Sequence, residues 1–196
     1  LVSRNGQILF NAEVAEGSSC SEEDEATLSL AQVYEYATTV PLEQIEWLAD
    51  AERMNIGAAE VSFTGDYGHG LGRLMHNNAR ESIFGDTLFT KILSYTSGAC
   101  DARMSGAMVP VMSNSGSGNQ GISATVPVVV FGREKGVSEE KLLRALALSH
   151  LTVVYIKQSL GRLSALCGCV VAATGSSCGI TYLMGGEFKE ICFAVK

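Results

Sequence analysis

Apolar and polar positions alternate over residues 1–14 around Asn5-Gly6, the pair best suited to the positive φ angles of a type I′ turn, and this predicts a β-hairpin. From Ala26 onward the spacing turns helical. Leu30, Val33, Tyr34 and Ala37 mark one helix face. Pro41 stands where a first-turn proline is tolerated, ahead of Leu42, Ile45, Leu48 and Ala49, in a helix expected to end near Asn55. Asp86 is placed to cap a helix over 88–95. Ser138 with Glu139 and Glu140 opens another that carries Leu142, Leu143, Leu146, His150 and Val153, its acids favoured by the N-terminal dipole. Gly161 and Gly175 are expected to divide the remainder of the chain into shorter helices. Leu1 enters a strand and Lys196 stops inside the periodic segment Ile191, Phe193, Val195, so both ends read as cut from a longer polypeptide.

The pattern therefore predicts an α+β fold, predominantly α-helical, with an N-terminal β-hairpin. Residues 1–25 form the end of a β-containing region, closed by the acidic run 21–25, and 26–196 form a helical domain truncated at its C-terminus. A chain of 196 residues is about one domain and long enough to bury a core. Its 21 glycines argue for close-packed helices and tight loops.

Charge narrows the function. The net value of −7, with the acids concentrated in the first half, leaves no footprint for nucleic acid. Two stretches, 104–132 and 163–186, carry no charge at all, which raises the question of a membrane span. Both are too rich in Gly, Ser, Asn and Thr for lipid to accommodate, so no membrane partner is expected. Six cysteines in a chain this apolar read as reduced thiols of a cytoplasmic protein rather than a disulfide scaffold.

The candidate chemistry lies mostly in the uncharged stretches. Ser113-Asn114-Ser115-Gly116-Ser117-Gly118-Asn119-Gln120-Gly121 stands between two apolar runs, with three glycines and several hydrogen-bonding side chains. Such a segment is either a polar turn or a concavity of backbone N–H groups that receives a carboxylate or phosphate, above all where a helix begins just after it. His69 lies in Asp66-Tyr67-Gly68-His69-Gly70-Leu71-Gly72 and is a candidate acid, base or substrate donor. His150 falls at core spacing. Cys100-Asp101-Ala102-Arg103 offers an acid and a base that form either a structural ion pair or a substrate clamp. Cys167-Gly-Cys169, Cys178 and Cys192 match no ferredoxin or zinc-finger spacing.

Together, Gly65-Asp66-Tyr67-Gly68-His69, the segment SYTSGACDARM (94–104), SNSGSGNQGISATVP (113–127) and LSALCGCVVAATGSSCGITYLMGG (163–186) resemble the serine dehydratase alpha-chain superfamily, closest to its L-cysteine desulfidase branch. The resemblance spans nearly the whole chain. It implies a mostly helical catalytic domain of an oxygen-sensitive [4Fe–4S] ammonia-lyase. The reaction it implies is β-elimination from a small L-amino acid, L-cysteine or L-serine, giving pyruvate, ammonia and sulfide or water. By the same resemblance Ser115, Gly118, Asn119 and Gln120 belong to the loop near substrate, Cys167 matches the first cluster cysteine, and His69 is the candidate catalytic acid or base. The family pattern also needs one cysteine before residue 1 and another, in a Cys-Asp-Gly segment, after residue 196. The expectation is therefore that this chain alone holds no complete cluster and is inactive without the rest of its parent. A homo-oligomer is a further expectation.

A second resemblance, to pyridoxal-phosphate amino-acid dehydratases, rests on Ser117-Gly118-Asn119-Gln120-Gly121 with Lys91 lying 28 residues before Asn119. Phe89-Thr90-Lys91-Ile92-Leu93 lacks the small polar residues that surround such a lysine, and the strand–helix alternation of that fold is missing. A non-catalytic structural fragment is the other alternative.

Overall fold

The computed structural model describes residues 2–4, 7–10, 27–78, 80, 84–160 and 166–196. Within them lie eight α-helices: α1 (Leu30–Thr39), α2 (Leu48–Thr64), α3 (Leu71–Asn77), α4 (Leu88–Met104), α5 (Gly118–Lys135), α6 (Glu139–Leu160), α7 (Gly168–Leu183) and α8 (Phe188–Val195). The expected α+β class, with an N-terminal hairpin as part of the fold, is corrected: the fold is helical, and its layers are helix on helix. Two short strands, β1 (Val2–Arg4) and β2 (Gln7–Phe10), pair antiparallel with each other and, among the described residues, with no further strand. A two-stranded ribbon of this length has too little surface to act as a layer, and the apolar residues of the domain are covered by helices instead. Asn5, Gly6 and the acidic run 21–25 lie outside the described residues.

α6 occupies the middle, packed against α7, α5 and α1, while α4 is gripped by α2, α3 and α5. Leu146 and Leu148 are fully buried, as are Ile122, Val126, Val128 and Val129 of α5. Each such side chain contributes about 2 kcal/mol relative to exposure. α7 crosses α6 closely enough that a Cβ on Gly179 would meet the Ala145 carbonyl at 2.9 Å, and one on Gly175 would strike the Ser149 carbonyl. That contact corrects the expectation that Gly175 divides the segment: it lies inside α7 because backbone must approach backbone there.

Local signals explain most boundaries. Ser29 caps α1 with a reciprocal box, its hydroxyl accepting from Gln32 N while Gln32 Oε1 accepts from Ser29 N. α1 has no basic residue in its last turn, and Arg144 of α6 supplies one, its Nη1 donating to the carbonyls of Ala37 and Val40. Pro41 opens a single 3₁₀ turn, Leu42–Gln44, and the helix expected to end near Asn55 starts at Leu48 and runs to Thr64. Thr87, rather than Asp86, caps α4, its hydroxyl accepting from Thr90 N.

Candidate functional site

The glycine-rich segment resolves into a turn followed by a helix. Asn114 and Ser117 exchange both backbone hydrogen bonds (3.1 and 2.9 Å), and the two residues between them, Ser115 and Gly116, have φ of 48° and 78°. Two consecutive left-handed residues make a type I′ turn, and glycine at the second position lowers its strain. Ser117 then caps α5, its hydroxyl accepting from Gln120 N at 3.4 Å. The first-turn amides of Gly118 and Asn119 have no intrahelical acceptor, and they stand at the positive end of an 18-residue helix.

Behind the turn runs a buried polar network. Asn114 Nδ2 donates to His150 Nδ1 (2.9 Å) and to the His150 carbonyl (3.1 Å), which fixes the amide orientation because its oxygen would be repelled there. His150 Nδ1 is therefore an acceptor, and Nε2 carries the proton toward Thr125 Oγ1 at 3.0 Å. Thr125 donates in turn to the Gly121 carbonyl (2.7 Å) and accepts from Asn55 Nδ2 (3.0 Å). Asn55 also accepts from Met112 N at 2.9 Å, tying α2 to the strap that leads into the turn. Burial pushes the His150 pKa down to about 4, so the ring is neutral at physiological pH. Ser115 belongs to this side: its hydroxyl donates to Asn114 Oδ1 (2.7 Å), and it lines a cavity of about 350 Å³ with Tyr36, Trp47, His150 and Leu151.

The C-terminal end of α4 is the hub of the other side. Asp101 and Arg103 do not pair. Asp101 accepts from His69 N (3.3 Å) and Gly72 N (3.5 Å), and Ser105 Oγ accepts from Gly68 N (2.6 Å), which holds the loop carrying His69 against α4. The His69 side chain is exposed. Arg103 turns the opposite way. It packs across Gly118, where any Cβ would overlap its Nε, and its Nη1 donates to Asn119 Oδ1 at 3.0 Å.

α7 brings its N-terminus to the same place. A Cβ on Gly168 would meet the Gln120 amide nitrogen at 2.7 Å, so Gln120 lies directly against the first residue of α7. Gln120 is buried, and its Oε1 has no donor among the described residues. Cys167 stands at the N-cap of α7 and is exposed. The backbone N–H of Cys169 first, then the Cys169 thiol and the N–H of Val170, hold its pKa below the usual thiol range. The other described thiols in the core behave oppositely: burial pushes Cys100 and Cys178 up to about 11.

This contrast tests the thiols as iron ligands. An accessible thiol whose pKa is lowered at a helix N-terminus suits iron, and Cys167 has that chemistry. Cys178 and Cys100 do not. Among the described residues no group of three or more His, Cys, Asp or Glu is placed to hold a metal ion, so Cys167 fits one corner of a cluster and not a whole binding set.

The structure thus brings Gly118, Asn119, Gln120 and Cys167 together where α5 and α7 begin, beside Arg103. His69 is not brought to them by any contact among the described residues and sits on the loop held by Asp101. Ser115 sits across the turn, toward the His150 network. Arg103 and Asn55 complete the arrangement. The signal for Asn55 was a polar residue inside an otherwise apolar helix face, whereas Arg103 was legible as the base of an acid–base pair that reads as either an ion pair or a substrate clamp. Lys91 lies elsewhere. Its ammonium pairs with Glu134 at 2.8 Å, which raises its pKa, and Glu134 is 15 residues beyond Asn119 on α5, about 22 Å along the helix. Lys91 and Asn119 therefore do not share a site. No helix among the described residues is long and apolar enough to cross a membrane.

No solved structure matches the chain. It is 60% identical over 195 residues to a UPF0597 protein of Bacteroides fragilis, which covers all of this chain and 45% of that protein. It is also 60% identical to a UPF0597 protein of Phocaeicola vulgatus over all of this chain and 45% of that protein. With a UPF0597 protein of Porphyromonas gingivalis it shares 53% over 98% of this chain and 46% of that one. The chain spans less than half the length of these relatives. The family model described as serine dehydratase alpha chain matches residues 11–196, and on that match the chain belongs to the serine dehydratase alpha-chain family.

Proposed function

We propose that this chain is part of an iron–sulfur lyase that eliminates the β-substituent of L-cysteine or L-serine in the cytoplasm, a compartment suited to its free thiols. The observation that carries the reading is the meeting of two helix N-termini. Gln120, from the glycine-rich turn, lies against Gly168, and the acidified Cys167 thiol stands next to it. Family membership supplies the chemical class.

In the reaction the Cα–H bond breaks, its electrons form the Cα–Cβ double bond, and the Cβ–S or Cβ–O bond leaves with its pair. The enamine tautomerises and takes up water to give pyruvate and ammonia. Cys167 would hold one iron of a [4Fe–4S] cluster, whose other ligands would be supplied by the rest of the parent protein, so that the isolated chain would not assemble it. The cluster, when bound, supplies a Lewis-acidic iron for the substrate's carboxylate and leaving group. The chain's own residues bind and orient. Asn119, Gln120 and the first-turn amides of Gly118 and Asn119 grip the substrate, Ser115 steadies the turn through Asn114, and the exposed imidazole of His69 takes the Cα proton.

The test is Cys167→Ser in a full-length protein carrying this chain. We expect cluster iron and pyruvate release to disappear while far-UV circular dichroism stays unchanged. Unaltered iron stoichiometry in that variant contradicts the assignment.

A further inference from the structure

Two positive groups face each other at the start of α5. The Arg103 side chain lies across Gly118, the first residue of the helix, and among the described residues its guanidinium donates to neutral partners, Asn119 Oδ1 at 3.0 Å and Met104 Sδ at 3.2 Å. Arg53, Arg73, Arg133 and Arg144 each pair with a carboxylate, but no carboxylate among the described residues lies within 4 Å of Arg103. Asp101, two residues away, is turned to the backbone of His69 and Gly72. A cation over a helix N-terminus is electrostatically opposed, and an anion between the two reverses the sign of both interactions.

A second observation from the same turn defines the anion further. Gln120, 7% exposed, has a buried carbonyl oxygen that receives no hydrogen bond among the described residues. It needs a donor. A ligand that brings an anion to Arg103 and a donor to a residue one place beyond Asn119 carries a carboxylate and an ammonium close together, as an α-amino acid does.

We infer that Arg103 binds the α-carboxylate of the amino-acid substrate, with Gln120 Oε1 accepting from its α-ammonium. The inference rests on the proposed reading that this end of the bundle is the substrate site. It gives Arg103 a binding role, and it explains why position 118 carries no side chain: the guanidinium occupies the space.

The experiment is calorimetric binding of L-alanine, which has no leaving group, and of L-alaninamide, which has no carboxylate, to the full-length protein purified without oxygen. L-Alanine is expected to bind the unmodified protein at least tenfold more tightly than the amide. Arg103→Ala lowers that preference at least several-fold, and Arg103→Lys, which keeps the charge if the alanine variant fails to fold, lowers it less. Failure of the unmodified protein to take up L-alanine overturns the inference, as does an unchanged preference in a folded variant. Pyruvate release together with an unchanged preference leaves the lyase reading standing without Arg103. Arg103-dependent alanine binding in a protein that takes up no iron and forms no pyruvate keeps the amino-acid site and removes the lyase.

Discussion

Thr125 has one hydroxyl proton and two lone pairs, and all three are used: it donates to Gly121 O and accepts from Asn55 and from His150 Nε2. Nothing is left to receive a second proton on His150, whose Nδ1 already accepts from Asn114. Protonating the ring would put two N–H groups against each other inside a buried site. The folded pKa of about 4 lies below the ordinary 6.5, so the unfolded chain binds the extra proton first as pH falls. The neutral ring's contribution is thus fully present above about pH 6.5 and is lost as pH falls toward 4, by at most about 3 kcal/mol. Urea titrations should show stability falling more steeply over that window in the natural protein than in His150→Gln. Parallel pH profiles for the two would contradict a ring held neutral by burial. His150 was legible as a buried residue from its spacing on α6. Its partners were not, because Asn55, Asn114 and Thr125 come from three separate segments.

Among elements, α5 joins the site to the core, and two glycines separate its packing from helix propensity. A Cβ on Gly121 would overlap the Met112 carbonyl, which is backbone and has no rotamer to change. Gly121→Ala is expected to lower stability by roughly 1–3 kcal/mol, or more if the turn shifts. Gly57, inside α2, has nothing within 4 Å of its Cβ position, and Gly57→Ala should raise stability by about 0.5–1 kcal/mol. Thermal melts of both variants check the pair, and equal effects would contradict the close contact of α5 with the strap before it. The helical period made α1 and α6 readable, since Val33, Ala37, Leu142, Leu143 and Leu146 are all buried. It failed over 104–132, where an apolar run containing Pro127 continues as one helix from Gly118. It failed again at Gly175, because glycine serves both as a helix break and as a point of close helix contact. In 100–103, Asp101 and Arg103 stand two residues apart on a helix and so face different neighbours, a geometry that excludes the ion pair their sequence proximity invites.

For the whole molecule, three helix ends converge: the C-terminus of α4 and the N-termini of α5 and α7. The turn, Cys167 and His69 were readable from sequence as separate motifs. The meeting of the turn with Cys167 through Gly118 and Gly168 required the fold, since what marks those contacts is the absence of a side chain, while His69 is held by Asp101 on the face of α4 from which Arg103 turns away. The N-terminal segment misled the class because a strong turn pair and good alternation say nothing about whether a ribbon packs on the helices. The central claim, an iron-dependent elimination at this convergence, is tested most directly by one measurement. A full-length protein carrying this chain is purified without oxygen, and its iron and sulfide content is determined alongside pyruvate release from L-cysteine and L-serine in the same sample. The account predicts about four irons and four sulfides per chain, as a cubane cluster requires, with pyruvate formed from at least one of the two substrates. A reconstituted protein that holds no iron and forms no pyruvate would contradict it.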